Sequence, residues 1–531
     1  MHGGGWERLA ELADKAPAAD QSVTARRLLG YLAPFRKTLL VALFFVVLGT
    51  AGQALGPAVI GIAINELLDA AGDEGTLTWY MIMLLGVFLL GYIGFSVQLW
   101  LIGSVGQRVL SRMREQIFDQ IQALSMRFFD RHEAGDLMSR LISDTDVVGN
   151  FLTQGLMQSV GSLIGLVAIV VMMVIASWQL ALATFLVIPV MFWLTRFFSA
   201  KARDRYRTAR QAIGTVSSNL QEDISGIRET QAFARTDQSI QKFTRSNRAN
   251  RDANVSAVAV TSAFNPAADV LSAVATAIVL AFGGWLVVSG YEEPGVVVAF
   301  FLWVGNFFRP IQQISVFYTQ AQAALAGAER VFELLDEVPE IVDAPDAIEL
   351  PLLAGRVAFE QVSFAYEPDR PVLHGIDLVI EPGQTVAIVG PTGAGKSTLA
   401  NLVQRFYEVT GGRVTVDGHD VRAVTQVSLR RQLGVVPQEV YLFSGSIADN
   451  IRYGRPEATD AQVEAAATAV GAHAFITALP DGYAALLGER GRKLSAGQRQ
   501  LVALARAALV DPRILILDEA TSNIDTRTEA L

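Results

Sequence analysis

What most limits the folding options of this chain is where it carries no charge. Leu39 to Asn65 and Trp79 to Gln107 contain no charged residue, and each is longer than the roughly 20 residues that take an α-helix across a bilayer. Val147 to Thr195 is uncharged over about twice that length, which predicts a helical hairpin turning at Ala176-Ser177-Trp178, with Trp178 as an interfacial anchor. Ala253 to Tyr291 is interrupted only by Asp269, and Val296 to about Phe317 contains Arg309 and Pro310. Counted together, these runs predict six spans. The apolar share of 51% and mean hydropathy of +0.35 average over two unlike halves, because the long runs stop near residue 325. There is no cysteine, which excludes disulfides and thiolate metal sites. A net charge of −9 without a domain-wide basic surface argues against nucleic acid as a partner.

Met1 to Ser22 lacks an apolar core ahead of a cleavage site, so it reads as a tail and not as a signal peptide. Arginine and lysine crowd one set of connections: Arg26, Arg27, Arg36 and Lys37 before the first span, Arg108 to Arg140 between the second and third, and Lys201 to Arg251 between the fourth and fifth. The opposite loops hold Asp69, Asp73, Glu74, Glu292 and Glu293. By the positive-inside rule both termini, and everything beyond the last span, are expected in the cytoplasm of an integral protein of the bacterial plasma membrane. Arg196 to Asp252 stays helix-favouring apart from Gly214 and Gly226; two helices of about 27 residues each would reach roughly 40 Å from the membrane. Such rods either transmit force or are simply solvated. Asp269 and Arg309 are intramembrane charges, functional candidates unless they pair or lie in helix extensions outside the hydrocarbon. Gln154, Gln158, Asn265, Asn306, Gln312 and Gln313 would make a pathway partly polar.

The second half turns on Gly390-Pro391-Thr392-Gly393-Ala394-Gly395-Lys396-Ser397. It follows a β-type run, Thr385 to Val389, and precedes a helix-like segment, Thr398 to Phe406, the context a P-loop needs. Its backbone N–H groups would cradle a polyphosphate at a helix start. Lys396 would reach the terminal phosphates and Ser397 would ligate Mg²⁺. Ala328 to Leu335 reads as a short amphipathic helix, Val338 to Pro351 as a linker, and Val357 to Ala365 and Val372 to Ile380 as further strands. Arg513 to Glu519 is a buried-strand pattern ending in two acids; Asp518 would hold Mg²⁺ through water and Glu519 would polarise the attacking water.

Lys493-Leu494-Ser495-Ala496-Gly497-Gln498-Arg499-Gln500 resembles the signature motif of ATP-binding cassette (ABC) proteins. Tyr366 resembles that family's adenine-stacking aromatic, Gln438 its Mg²⁺- and water-sensing glutamine, and Ser522-Asn523-Ile524-Asp525 the loop crossing to a second cassette. Six spans ahead of a cassette resemble an ABC exporter half-transporter, an all-α six-helix transmembrane domain followed by an α/β P-loop cassette. On that resemblance residues 1–25 are a tail, 26–325 the membrane domain, 326–353 a linker and 354–531 the cassette. Phe129 to Asp146 and Gly226 to Phe233 resemble the family's two coupling regions.

The resemblance implies a second half-transporter chain, identical or different, with ATP held between one P-loop (Gly390 to Thr398) and the partner's Ser495, Gly497 and Gln498. Lys396, Gln438 and Glu519 are then catalytic, Ser397, Gln438 and Asp518 metal-binding, and the expected activity is ATP-driven export of an amphipathic, drug-like or lipid-like molecule. Import on the same fold, or a low-turnover regulatory half, are the alternatives. Two departures stand out. Ala496 replaces the usual signature glycine, and no histidine follows Asp518, where the family has a switch histidine. The cassette is therefore expected to be truncated at its C-terminus.

Overall fold

The computed structural model describes residues 21–69, 74–488, 491 and 493–520; side chains at 21, 69, 74, 308–309, 311–312 and 314–316 are outside the described set. The helical half runs α1 (Gln21–Gly30), α2 (Arg36–Asp69), α3 (Glu74–Ala123), α4 (Met126–Arg131), α5 (Ala134–Ala176), α6 (Trp178–Phe185), α7 (Ile188–Ser225), α8 (Ile227–Ala232), α9 (Thr236–Val288) and α10 (Pro294–Asp336). Two compact units result: one holds Met138–Asp336 with the residues up to Asp119, the other holds Gln120–Leu137 with Glu337 onward.

In the first unit five helices are long and apolar enough to cross a membrane. The sixth predicted span lies in α10, which is helical from Pro294 to Asp336, and its described apolar part is Pro294–Phe307. Helices are what an apolar chain must form in lipid, where no water satisfies a free N–H or C=O. Large apolar side chains such as Phe44, Trp100, Ile175 and Phe192 face outward, while Phe300, Trp303, Phe307, Met173, Leu180 and Val279 form the core. Trp303 is fully buried, and its indole Nε1 donates to Ala54 O at 2.9 Å. Elsewhere backbones touch directly: a Cβ on Gly295 would lie 1.8 Å from Gly61 O, so α2 and α10 meet only because both residues are glycine.

The predicted hairpin turn is a single residue. Ser177 is extended (φ −161°, ψ 108°), ends α5, and its Oγ accepts the Leu180 N–H that opens α6. Within α5 lie two π turns, Arg140–Asp144 and Phe151–Gly155. Asp144, at the end of the first, is 6% exposed and accepts two bonds from the Arg330 guanidinium (2.5 and 2.9 Å). The two predicted rods are the charged, C-terminal part of α7 and N-terminal part of α9, packed side by side, with Lys242 Nζ on Glu222 at 2.7 Å and α8 between them in sequence. Ala328 to Leu335 is not a separate short helix; it is the last part of α10, because no proline lies between Gln320 and Asp336 and the helix runs through Gly327, where glycine lets Asp144 approach closely.

In the second unit, β1 (Val357–Glu367), β2 (Arg370–Ile380), β3 (Gly411–Val416) and β4 (His419–Asp420) form an antiparallel sheet in the order β2-β1-β3-β4, with Val357 opposite Ile380 and Val416. β5 (Leu433–Val436) and β6 (Ile514–Leu517) pair in parallel. The predicted strand Thr385 to Val389 is not formed: among the described residues no strand pairs with it, and Val389 is 88% exposed. An apolar run becomes a strand only where a neighbour takes up its backbone hydrogen bonds. Buried Arg405 ties the linker to the sheet domain, donating to Val342 O (3.1 Å), Val424 O (3.0 Å) and the carboxylates of Asp343 and Glu408.

The short helix α4 belongs to this unit. It starts before the predicted coupling region, since Ser125 is extended and ends α3's run. Tyr407 donates its hydroxyl proton to Asp130 Oδ2 at 2.6 Å, Ser125 Oγ accepts the Ile341 N–H at 2.9 Å, and Arg127 pairs with Glu340. Burial, and then the bond to Asp130, push the Tyr407 phenol well above its ordinary range.

Candidate nucleotide site

The glycine loop is held by its own geometry. Gly393 (φ +86°) and Gly395 (φ +89°) take left-handed backbone that only glycine adopts freely. A Cβ on Gly395 would also come within 2.7 Å of Leu373 Cδ2, so the loop lies pressed on β2. The helix α11 (Lys396–Val403) begins at Lys396, two residues before the predicted Thr398, because left-handed Gly395 already serves as its cap. Lys396 Nζ donates to Gly390 O (2.9 Å) and Pro391 O (3.2 Å), which holds the ammonium over the loop while Pro391, Thr392, Gly393 and Ala394 stay exposed. The Tyr366 and buried Thr398 hydroxyls are 3.1 Å apart in a hydrogen bond, and the Tyr366 ring meets Tyr407 edge-on with centroids 5.1 Å apart.

Two residues from distant motifs meet directly. Gln438 Nε2 donates to Glu519 Oε2 at 2.7 Å. Asp518 N donates to Val436 O at 3.0 Å, extending the β5–β6 pairing and carrying both acids to the end of the parallel strands, where open α/β sheets bind ligands. Glu519 is left-handed (φ +49°), a conformation costing a non-glycine residue about 1–2 kcal/mol. Buried Gln500 offsets this by donating to Glu519 O at 3.1 Å. Sequence reasoning did not single out Gln500 as a support; the available signal was a glutamine on the buried face of the signature helix. With Nε2 committed to Glu519, the Gln438 oxygen has no hydrogen-bond partner among the described residues. Ser397, Gln438 and Asp518 supply hydroxyl, amide and carboxylate oxygens, the donor chemistry a hard cation such as Mg²⁺ prefers.

The signature residues form an N-cap. Ser495 Oγ accepts the Gln498 N–H at 3.2 Å and Gln498 Oε1 accepts the Ser495 N–H at 2.9 Å, opening α12 (Ala496–Leu509). Ala496 is exposed, so its methyl displaces nothing described. Among the described residues no hydrogen bond joins this cap to the P-loop. Asp525, with the loop around it, lies outside the described residues.

Two family profiles match the chain: the ABC transporter transmembrane region over residues 39–311 and the ABC transporter cassette over residues 373–522. An uncharacterized ABC transporter ATP-binding protein of Bacillus subtilis, YknV, is 37% identical over 504 residues, covering 95% of this chain and 83% of YknV. An ATP-dependent lipid A-core flippase of Syntrophus aciditrophicus is 34% identical over 95% of this chain and 84% of its own. A fatty acid ABC transporter ATP-binding/permease protein of Mycobacterium bovis is 37% identical over 89% of this chain and 74% of its own. A bacterial Atm1-family ABC exporter solved with ATP bound superposes with a TM-score of 0.75 at 30% identity, over 94% of this chain and 88% of that one. With its membrane helices, its cassette and these relatives, the chain belongs to the ABC transporters, as an exporter-type half-transporter whose ATPase is coupled to transport.

Proposed function

We propose that this chain exports an amphipathic, lipid-like molecule from the cytoplasm, working as one half of a two-chain transporter with its cassette on the cytoplasmic side. The observation that carries the ATP-driven part is the Gln438–Glu519 bond at the carboxyl end of the β5–β6 strands, in a unit that also holds the P-loop. The names of the lipid A-core flippase and the fatty acid transporter support a lipid-like substrate.

In this reading the exposed P-loop N–H groups and Lys396 bind the phosphates, and Lys396 exchanges the Gly390 and Pro391 carbonyls for phosphate oxygens. Tyr366 offers a ring face to adenine. Glu519 orients and polarises the attacking water, its carboxylate aimed by Gln438 from one side and its backbone fixed by Gln500 from the other. Ser397, Gln438 and Asp518 would hold Mg²⁺, which neutralises charge on the transferred phosphoryl group. Ser495 can accept the Gln498 N–H and still donate its own proton, so the cap of α12 presents an O–H and N–H groups to a phosphate brought by a second chain. Binding and loss of that phosphate would switch the membrane halves between two openings.

The test is uptake of a fluorescent phospholipid and of a fluorescent fatty acid by inside-out vesicles with and without ATP. Export predicts ATP-dependent accumulation that disappears in Glu519→Gln. Accumulation only in right-side-out vesicles supplied with internal ATP would establish import instead.

A further inference from the structure

Within the membrane unit, α2, α3, α5 and α10 line a half-open cavity of about 660 Å³, inside the roughly 300–1,000 Å³ range of small-molecule sites. One wall is aromatic: Phe88, Tyr92 and Phe95 of α3. The polar lining is made of neutral groups, among them Gln53, Gln98, Gln158, Ser162, Asn306 and Gln313 from all four helices. Among the described lining residues none carries a charge. Ser162 already donates to Gln313 Oε1. The side-chain amides of Gln53, Gln98 and Gln158 make no hydrogen bond to any described residue, so three primary amides offer both a donor and an acceptor to whatever enters.

Resting on the export reading above, we infer that this cavity selects amphiphiles with an uncharged, hydrogen-bonding head group over carboxylates and amines of the same chain. An ion leaving water for a site between apolar helices needs an opposite charge to replace its hydration. A neutral amide or hydroxyl head needs only matched donors and acceptors, and the glutamines supply them. The aromatic wall then takes the chain or ring system.

Three probes with one acyl chain separate the possibilities: N-oleoylethanolamine, oleate and oleylamine. Each competes with a diazirine-bearing N-acylethanolamine for photo-attachment to the chain in phosphatidylcholine nanodiscs, with the adduct mapped by mass spectrometry. Attachment is expected on the α3 aromatics, with N-oleoylethanolamine competing at least about tenfold better than either ion. Gln98→Leu and Gln158→Leu should each weaken it about fivefold. The isosteric Gln158→Glu, which keeps the packing, should shift preference toward oleylamine.

Oleate competing as well as the neutral probe, with that competition lost in Arg309→Gln, would overturn the inference in favour of an anion site. Adducts confined to the outer face of the helices would overturn it as well. ATP hydrolysis and vesicle uptake are read separately. A chain that pumps but prefers oleate refutes only the head-group selectivity, whereas a chain that binds the neutral probe but moves nothing refutes only the export reading.

Discussion

Glu519 combines an unusual backbone conformation with a side chain committed to Gln438, and both features suit a group that must be aimed. Glu519→Gln should keep ATP affinity and lower turnover about 10²–10⁴-fold, measured by nucleotide binding and phosphate release in nanodiscs; near-normal release would take Glu519 out of its proposed role. A second residue-scale prediction concerns Asp336, the last residue of α10. The Arg27 guanidinium bonds to it through two nitrogens and holds its carboxyl below the ordinary 3.8. A depressed carboxylate stabilises the fold above its unfolded value, and that contribution is lost as pH falls from near 3.8 through the folded one. Both partners are more than a third exposed, so the contribution is small, about 0.5 kcal/mol. Asp336→Asn should therefore unfold slightly more readily than wild type near neutrality, and the two melting curves should converge as the buffer is acidified through and below the lowered folded value.

At the scale of elements, the cap of α12 has a structural and a functional duty that substitution can separate. Ser495→Ala removes the cap and should cost about 1 kcal/mol together with ATPase activity. Ser495→Asp keeps a capping oxygen but puts a carboxylate where a phosphate is proposed to sit, so its thermal stability should hold while ATPase is lost. Equal loss of stability in both variants would mean that the side chain acts only as a cap. Much at this scale was legible in the sequence. Uncharged runs give membrane helices because lipid leaves no alternative, and Ser177 between two apolar stretches gives the hairpin turn. The signature cap follows from Ser495 and Gln498 three residues apart. What the sequence hid were contacts between distant segments: Asp130 with Tyr407, Asp144 with Arg330, and Gln500 behind Glu519. No local pattern announces them, because each depends on where two separately folded pieces meet. Thr385 to Val389 failed for the same reason. Its composition favours a strand, but strand formation is decided by a neighbour's backbone.

For the molecule as a whole, the cap of α12 and the P-loop share no described hydrogen bond, so a complete site is proposed to need a second copy or a related chain. Mixing wild-type and Glu519→Gln chains in equal amounts before reconstitution should then lower hydrolysis per wild-type chain to about half, as mixed pairs form. Unchanged hydrolysis per wild-type chain would mean that each chain works alone or that mixed pairs remain active. The single-residue connection at Ser177 bears on how such an assembly moves. A joint one residue long has no slack in length: the end of α5 and the start of α6 must travel together, held by the Ser177 Oγ cap on the Leu180 N–H. Bending within this hairpin is therefore left to the places where the helix is already irregular, the two π turns of α5 and the Leu186–Val187 break between α6 and α7. The corner itself keeps the two helix ends within one residue of each other.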